Sequence, residues 1–247
     1  MPSIHISLVA EKLFSIGNGF YITNSILTAW IAMGILIILS VFISMKIKLI
    51  PGNLQQIAEI VVEGLHSLFG TILHEKISIY FPLIGTYFLY IITLNWMGLL
   101  PGVGTIGINR IEEGHQVLVP LFRAGTADLN TTLGLALIAI LVIQVSGFKT
   151  LGLGYLKKFI NFGSPINFFV GILELVSEFS KVISFAFRLF GNIFAGEVLL
   201  TVIAFLIPVI APIPFMGLEL FVGFIQALVF SMLTSVFLSL AIAKEGH

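Results

Sequence analysis

Charged residues and cysteine are what this sequence has least of. Only 10% of its 247 residues are charged and none is cysteine, whereas a soluble domain carries roughly 25% charged residues. The lack of cysteine excludes disulfides, thiolate nucleophiles and thiolate metal sites. The low charge, together with a hydrophobic fraction of 58%, indicates that most of the surface faces lipid rather than water.

The charge balance excludes further classes of function. Twelve basic and twelve acidic side chains cancel, so no basic surface favours nucleic acid. The sequence has no phosphate-binding loop, nucleophile elbow or metalloprotease motif, and its histidines lack metal-ligand spacing. We therefore expect no cofactor, no metal site and no autonomous enzyme activity.

Long apolar segments dominate the chain. A helix needs about 20 mainly apolar residues to cross a hydrocarbon core of about 30 Å. Three ordinary candidates and two longer ones meet this requirement, and the helix-breaking stretch 208–214 separates the last two. We predict one all-α integral membrane domain over residues 1–247, with spans at about 26–47, 79–100, 129–148, 166–207 and 215–243.

The segment between the first two predicted spans has a different pattern. From Leu54 to Leu73 apolar residues recur at helical spacing, while Glu59, Glu63 and His66 fall on the other face. This pattern predicts an amphipathic helix that lies on the cytoplasmic membrane surface or packs against a partner protein.

Lysine and arginine predict the orientation of the chain. With five spans, most basic loop residues fall on the side of the C-terminus. They are Lys46, Lys48, Lys76, Lys149, Lys157, Lys158 and Lys244. The other side receives Lys12, Arg110 and Arg123 only. Because basic residues concentrate in cytoplasmic loops, we expect the N-terminus outside and the C-terminus in the cytoplasm.

The fourth predicted span carries most of the intramembrane charges. Ser164 and Pro165 form an N-cap and first-turn signal, and the helix that follows would be about 63 Å long, roughly twice the hydrocarbon thickness. It either projects into the cytoplasm or lies tilted, and we expect a long, strongly tilted hairpin with the last span. One stripe of polar residues at helical spacing runs along it: Glu174, Glu178, Lys181, Ser184, Arg188 and Asn192.

Arg188 has no acid on its own helix face. Ser184 and Asn192 occupy the positions one turn before and after it. The guanidinium does not lose its proton in a protein, and a charge at the bilayer centre costs about 2.5 to 3.5 kcal/mol. Its charge must therefore be compensated from another helix or another chain. The plain alternative is that Arg188 neutralises an acid within this chain.

Two further acids are predicted to meet near the outer end of the hairpin. In an antiparallel helix pair, facing residues have a nearly constant sum of residue numbers, which puts Glu197 level with Glu219 and Arg188 level with Gln226. Two carboxylates close together in a low dielectric can take up and pass on protons. The plain alternative is that each glutamate is solvated at the membrane edge.

Four motifs resemble a single family. They are SFAFRLFGNIFAGE at 184–197, RAGTADLNTT at 123–132, NWMGLLP at 95–101 and QALVF at 226–230. They resemble subunit a of bacterial-type F-type ATP synthases. The resemblance implies an ion-translocating stator subunit with two offset half-channels in the plasma membrane. It also implies a ring of c subunits and the peripheral-stalk b subunits as partners.

The resemblance implies roles for the polar residues of the hairpin. Arg188 would be the essential arginine that faces the ring carboxylates, with Asn192 and Gln226 beside it. Glu197 and Glu219 match the outer half-channel. Family members commonly pair an acid with a histidine, whereas this chain has glutamate at both positions.

Residues outside the outer hairpin have implied roles as well. Asn95 and Asp128 would belong to the outer half-channel, and Glu174 matches the cytoplasmic exit. Gly98 stands where some relatives have an acid. By resemblance, the choice between proton and sodium belongs mainly to the ring, and the proton is the expected ion.

A self-contained secondary transporter with an anion site at Arg188 is the main alternative. It would need inverted repeats and a broken helix at the site, and the sequence shows neither. A purely structural membrane subunit is a third possibility, but it leaves the polar and ionic residues of the last two spans unexplained.

Overall fold

A computed structural model describes residues 9–16, 20–45, 47–100, 102–103, 106–112, 115–159, 164–208 and 210–243. Lys46, Pro101 and Lys244, used above, lie outside this part of the chain. The side chains of Arg110, Lys157 and Lys158 are likewise not described.

The described ranges contain six α-helices. They are α1 Asn24–Ser44, α2 Asn53–Leu73, α3 Ile77–Met97, α4 Leu129–Leu151, α5 Pro165–Leu206 and α6 Pro212–Ile242. Short 3-10 helices are present at His74–Lys76, Gly125–Ala127 and Gly152–Lys158. Five helical stretches are long and apolar enough to cross a membrane, α2 and α3 counting as one continuous stretch. The expected all-α membrane fold is confirmed.

Capping decides where the helices begin and end. α1 begins at Asn24 because the Thr23 hydroxyl accepts a hydrogen bond from the Ile26 N–H at 3.3 Å. α3 ends at Met97, three residues before the predicted end of the span, since a turn follows. α6 begins at Pro212 rather than near residue 215, because proline costs little in the first turn of a helix.

α5 is the long helix that the sequence predicts. It has 42 residues, and Ser164 caps it by accepting a hydrogen bond from the Asn167 N–H at 3.1 Å. α6 returns antiparallel to it and also packs against α3 and α4. The hairpin of α5 and α6 thus forms one side of the helix bundle.

Two antiparallel β-hairpins accompany the helices. β1 (Lys12–Ile16) pairs with β2 (Phe20–Thr23), and β3 (Gly107–Glu112) pairs with β4 (His115–Pro120). Asn24 donates a side-chain hydrogen bond to the Pro120 carbonyl at 3.3 Å, so the hairpins lie at the same end of the bundle. The sequence analysis missed these strands because four to six residues are too few for a clear alternating pattern.

The apolar core lies between α2, α3, α4, α5 and α6. Its fully buried side chains include Phe69, Ile84, Ile91, Leu189 and Leu238. α2 contributes one edge of its amphipathic surface to this core, while Leu54, Ile57 and Ile60 remain exposed. Apolar side chains also cover the outer faces of the long helices, as expected where helices contact lipid.

Candidate functional site

Arg188 lies on the exposed side of α5. Its Nη2 donates a hydrogen bond to Ser184 Oγ at 3.1 Å, and its carbonyl accepts one from Asn192 Nδ2 at 3.0 Å. All three residues are exposed. Within the part of the chain that the structure describes, Arg188 makes no ion pair. Its permanent charge is therefore presented to whatever covers this face of α5.

Gln226 of α6 lies beside Arg188. The two residues line a small cavity together with Phe185, Leu189 and Phe230. Phe185 packs against Phe230 with ring centroids 5.0 Å apart, which gives the cavity an aromatic wall. Arg188 and Gln226 thus meet at the level that their residue numbers predict.

A larger cavity, which we call the outer cavity, lies between α3, α5, α6 and the segment before α4. Its volume is about 460 Å³, and most of its lining is apolar. Three of the polar residues singled out in the sequence line it: Asn95, Glu197 and Glu219. Asp128, the fourth residue that the resemblance assigns to the outer half-channel, is not part of this lining. The fold therefore gathers only some of the implied outer half-channel residues around one space.

Glu219 is buried, with 7% of its surface exposed. Its carboxyl lies directly against Gly196, where a Cβ atom would collide with it. Among the described residues, its Oε1 atom has no hydrogen-bond partner. Gly196 therefore provides the space that the Glu219 carboxyl occupies, one residue away from Glu197.

Glu197 has a cationic partner that the sequence analysis did not assign to it. Arg123 Nε donates to Glu197 Oε2 at 3.1 Å, and only 5% of Arg123 is exposed. Its guanidinium also lies over the Phe194 ring at 5.7 Å. The two acids of the outer cavity therefore differ, because a guanidinium compensates the charge of one of them. The available signal was Arg123 itself, a cation in an apolar context that needs a partner.

Asn95 and Asp128 have structural partners. Asn95 Nδ2 donates to the Gly223 carbonyl at 2.8 Å, and its Oδ1 accepts from Thr126 Oγ1 at 2.6 Å. This amide joins α3 to α6 and to the segment before α4. Asp128 is the N-cap of α4, and its Oδ1 accepts from the Asn130 N–H at 3.1 Å.

Gly98 packs against the segment before α4. A Cβ atom at this position would lie 2.5 Å from Ala124 Cβ, well inside van der Waals contact. An acidic side chain therefore does not fit here unless Ala124 moves.

The remaining polar residues of the stripe lie toward the N-terminal end of α5. Lys181 Nζ is 2.7 Å from Glu178 Oε1, an ion pair that the three-residue spacing predicts. Glu174 lies one turn further and is half-buried. Glu178 also accepts a hydrogen bond from Gln144 of α4 at 2.8 Å, a residue that no pattern in the sequence singled out.

Comparison with known proteins gives one family. The family model described as "ATP synthase A chain" matches residues 26–239. A protein from Gloeobacter violaceus, "ATP synthase subunit a", is 36% identical over 225 residues, which cover 91% of this chain and 85% of that protein. The residues matched by the family model include Arg188, its neighbours and the residues that line both cavities. The chain therefore belongs to the ATP synthase A chain family, the family of ATP synthase subunit a.

Proposed function

We propose that this chain is the ion-translocating stator subunit in the membrane sector of a rotary ATP synthase, with the proton as its ion. It is not catalytic alone and acts within the complex. The observation that carries the proposal is the exposed guanidinium of Arg188, which has no carboxylate partner among the described residues. A carboxylate on a ring of c subunits supplies that partner in trans.

Arg188 then couples ion transfer to rotation. A guanidinium next to a carboxyl favours the ionised form of the carboxyl, so a ring carboxyl that arrives protonated releases its ion beside Arg188. The same positive charge repels a free cation that would pass directly between the two half-channels. Asn192 and Gln226, which flank Arg188, orient the ring carboxylate by hydrogen bonding.

The outer cavity serves as one half-channel in this proposal. Glu197 and Glu219 face it with Asn95, and their carboxyls can accept and release protons. Asp128 contributes by capping α4, which holds the segment that carries Arg123. The cavity thus provides polar groups inside an otherwise apolar wall.

The other half-channel lies along the N-terminal half of α5. Ser184, Lys181, Glu178 and Glu174 continue the stripe of Arg188 in that direction. Glu174 lies about 21 Å from Arg188 along the helix axis, at about 1.5 Å per residue. The two half-channels therefore open at different levels, and a ring carboxylate has to travel between them.

The contact with the ring can be tested by cross-linking from Gly191. This residue is exposed on α5, and a Cβ atom placed there meets nothing within 4 Å. In the assembled complex, we expect Gly191→Cys to form disulfides with single cysteines placed near the carboxylate of the ring subunit. Ile138→Cys, exposed on α4, is the matched control and should not. Equal cross-linking from both positions, or none from Gly191→Cys, would contradict the proposed interface.

We propose that the chain lies in the plasma membrane of a bacterial cell, with its N-terminus outside and its C-terminus in the cytoplasm. The b subunits of the peripheral stalk are further proposed partners. A chain without cysteine suits a labelling test with Lys12→Cys, Glu75→Cys and Lys149→Cys, all at exposed positions. A membrane-impermeant maleimide added to intact cells should label Lys12→Cys only. Glu75→Cys and Lys149→Cys should react only after the membrane is permeabilised. Labelling of Glu75→Cys in intact cells would contradict the proposed orientation.

A further inference from the structure

A continuous set of hydrogen bonds joins the 3-10 helix Gly152–Lys158 to α5. The Tyr155 hydroxyl donates to Gln144 Oε1 at 2.8 Å, and Gln144 Nε2 donates to Glu178 Oε2 at 2.8 Å. The other oxygen of Glu178 accepts from Lys181 Nζ at 2.7 Å. Three successive elements, α4, the 3-10 helix and α5, are thereby connected through four side chains.

The same set continues toward the arginine site. Lys181 Nζ lies 4.7 Å from the centroid of the Phe237 ring of α6, a cation–π contact. Phe237 stacks on Phe185 with ring centroids 5.7 Å apart. Phe185 lines the small cavity that holds Arg188. The ammonium group thus bonds to Glu178 of α5 and contacts Phe237 of α6, which stacks on a residue of that cavity.

Little apolar packing holds this half of α5. Gly171 is its one buried residue before Phe185 among the described positions, and side chains such as Ile166 and Phe169 are exposed. By contrast, Glu178 and Lys181 are 12% and 19% exposed at the side chain. The polar contacts of Glu178 and Lys181 therefore attach this half of the helix to α4 and α6.

The Tyr155 hydroxyl, which begins this set of hydrogen bonds, stays protonated and can therefore donate to Gln144. Tyr155 is 5% exposed, and its ring packs so closely on Gly147 that a Cβ atom there would lie 2.6 Å from it. Burial, followed by the negative charges of Glu178 and Glu174, raises the pKa of Tyr155 to about 12. Since the raised pKa favours the protonated form, the contribution of the hydroxyl to stability is complete below about pH 10 and lost as pH rises through about 12.

We infer that Tyr155, Gln144, Glu178 and Lys181 form a latch that sets the rotation of α5 about its axis and so positions Arg188. Lys181 and Arg188 are seven residues apart, which is two helical turns on one face, so a rotation at one turns the other. Glu178 and Lys181 lie along the other half-channel in the proposed function, and in this inference they act there as positioning residues that do not themselves take up and release the ion. The inference rests on the proposed function, because only a rotor beside α5 makes the direction of Arg188 matter.

Tyr155→Phe tests the first contact, since it removes one hydroxyl and keeps the ring. In vesicles with the assembled complex, we expect ATP-driven proton pumping to fall by about fivefold, the effect of one lost hydrogen bond on a rate. The cross-linking yield from Gly191→Cys to the ring should fall as well. Tyr80→Phe is the matched control, because the Tyr80 hydroxyl makes no hydrogen bond among the described residues. Pumping and cross-linking equal to those of this control would overturn the latch.

A charge exchange separates positioning from ion transfer. Glu178→Lys and Lys181→Glu should each stop pumping. The double variant should restore part of it, since the ion pair forms again and the Gln144 amide can rotate to offer its oxygen to the new ammonium, whereas the contact of Lys181 with Phe237 is lost. If Glu178 carried ions, the double variant would stay inactive, and that result would overturn the inference. Arg188→Ala serves as the reference. If Arg188→Ala pumped like the wild type, the proposed function would be wrong. If Arg188→Ala were inactive but the double variant did not recover pumping, only the latch would be wrong.

Discussion

Replacing Arg188 by alanine is expected to abolish ATP synthesis by the complex while leaving the chain folded. The side chain is exposed, and within α5 it donates a hydrogen bond to Ser184, so its removal should change stability by no more than about 0.5 kcal/mol. The functional loss is large because no other described cation lies at the small cavity to ionise the ring carboxylate. The same variant removes the positive charge that blocks direct passage, and we expect a passive proton leak.

Lysine should not replace Arg188 fully. An ammonium keeps the positive charge, but it lacks the planar fork of the guanidinium and can lose its proton when desolvated. We therefore expect Arg188→Lys to retain little coupled synthesis while suppressing the passive leak of the alanine variant. The comparison distinguishes the need for a charge from the need for its geometry.

The measurement is ATP synthesis in inside-out vesicles driven by an imposed proton gradient, with the amount of assembled complex determined in parallel. Lys149→Ala is a matched control, because it removes an exposed cation at the end of α4, away from both cavities. It should synthesise ATP at the wild-type rate. Wild-type synthesis by Arg188→Ala with an intact ring would show that the arginine is not the coupling group.

Glu219→Gln is expected to reduce proton flux by about 10²-fold, the lower end of what a positioned proton-transfer group contributes. Glutamine has nearly the same shape, so it fits the space beside Gly196, but its amide cannot take up and release the ion. Glu197→Gln should also reduce flux, and it should additionally destabilise the chain, because it removes a carboxylate that lies 3.1 Å from the buried Arg123.

Gly196→Ala tests the same carboxyl without changing its chemistry. The added methyl group would occupy the position of the Glu219 carboxyl and displace it from the outer cavity, so flux should fall although both acids remain. Glu63→Gln, exposed on α2, is the control for loss of one carboxylate. The measurement is passive proton flux through the membrane sector after the catalytic sector has been removed. Normal flux in Glu219→Gln and Gly196→Ala would remove the outer cavity from the pathway.

Much of the fold follows from the residue pattern because the bilayer restricts what a chain can do. Backbone groups in hydrocarbon must be satisfied internally, so every long apolar run has to become a helix. Helix ends such as Ser164 and Pro165 carry local capping signals that need no tertiary information. The stripe of Arg188 follows equally from the helical period.

What the sequence could not provide is the identity of partners from distant elements. The residue-number sum places Glu197 near Glu219, but it cannot show that Arg123 reaches Glu197 across 74 positions. The latch could not be predicted for the same reason, since Gln144 reaches Glu178 only when α4 packs on α5, and Tyr155 joins them through Gln144. Contacts of this kind depend on how helices pack, and no local period records that.

The sequence by itself therefore determined the membrane helices, the amphipathic helix and the unpartnered arginine, because each depends on hydrophobicity and helical spacing within one segment. The tertiary structure alone decided which acids share a cavity, which one has a cationic partner, and why Gly98 and Gly196 carry no side chain. Those features depend on distances of a few ångströms between separate helices, where close packing leaves room for one arrangement.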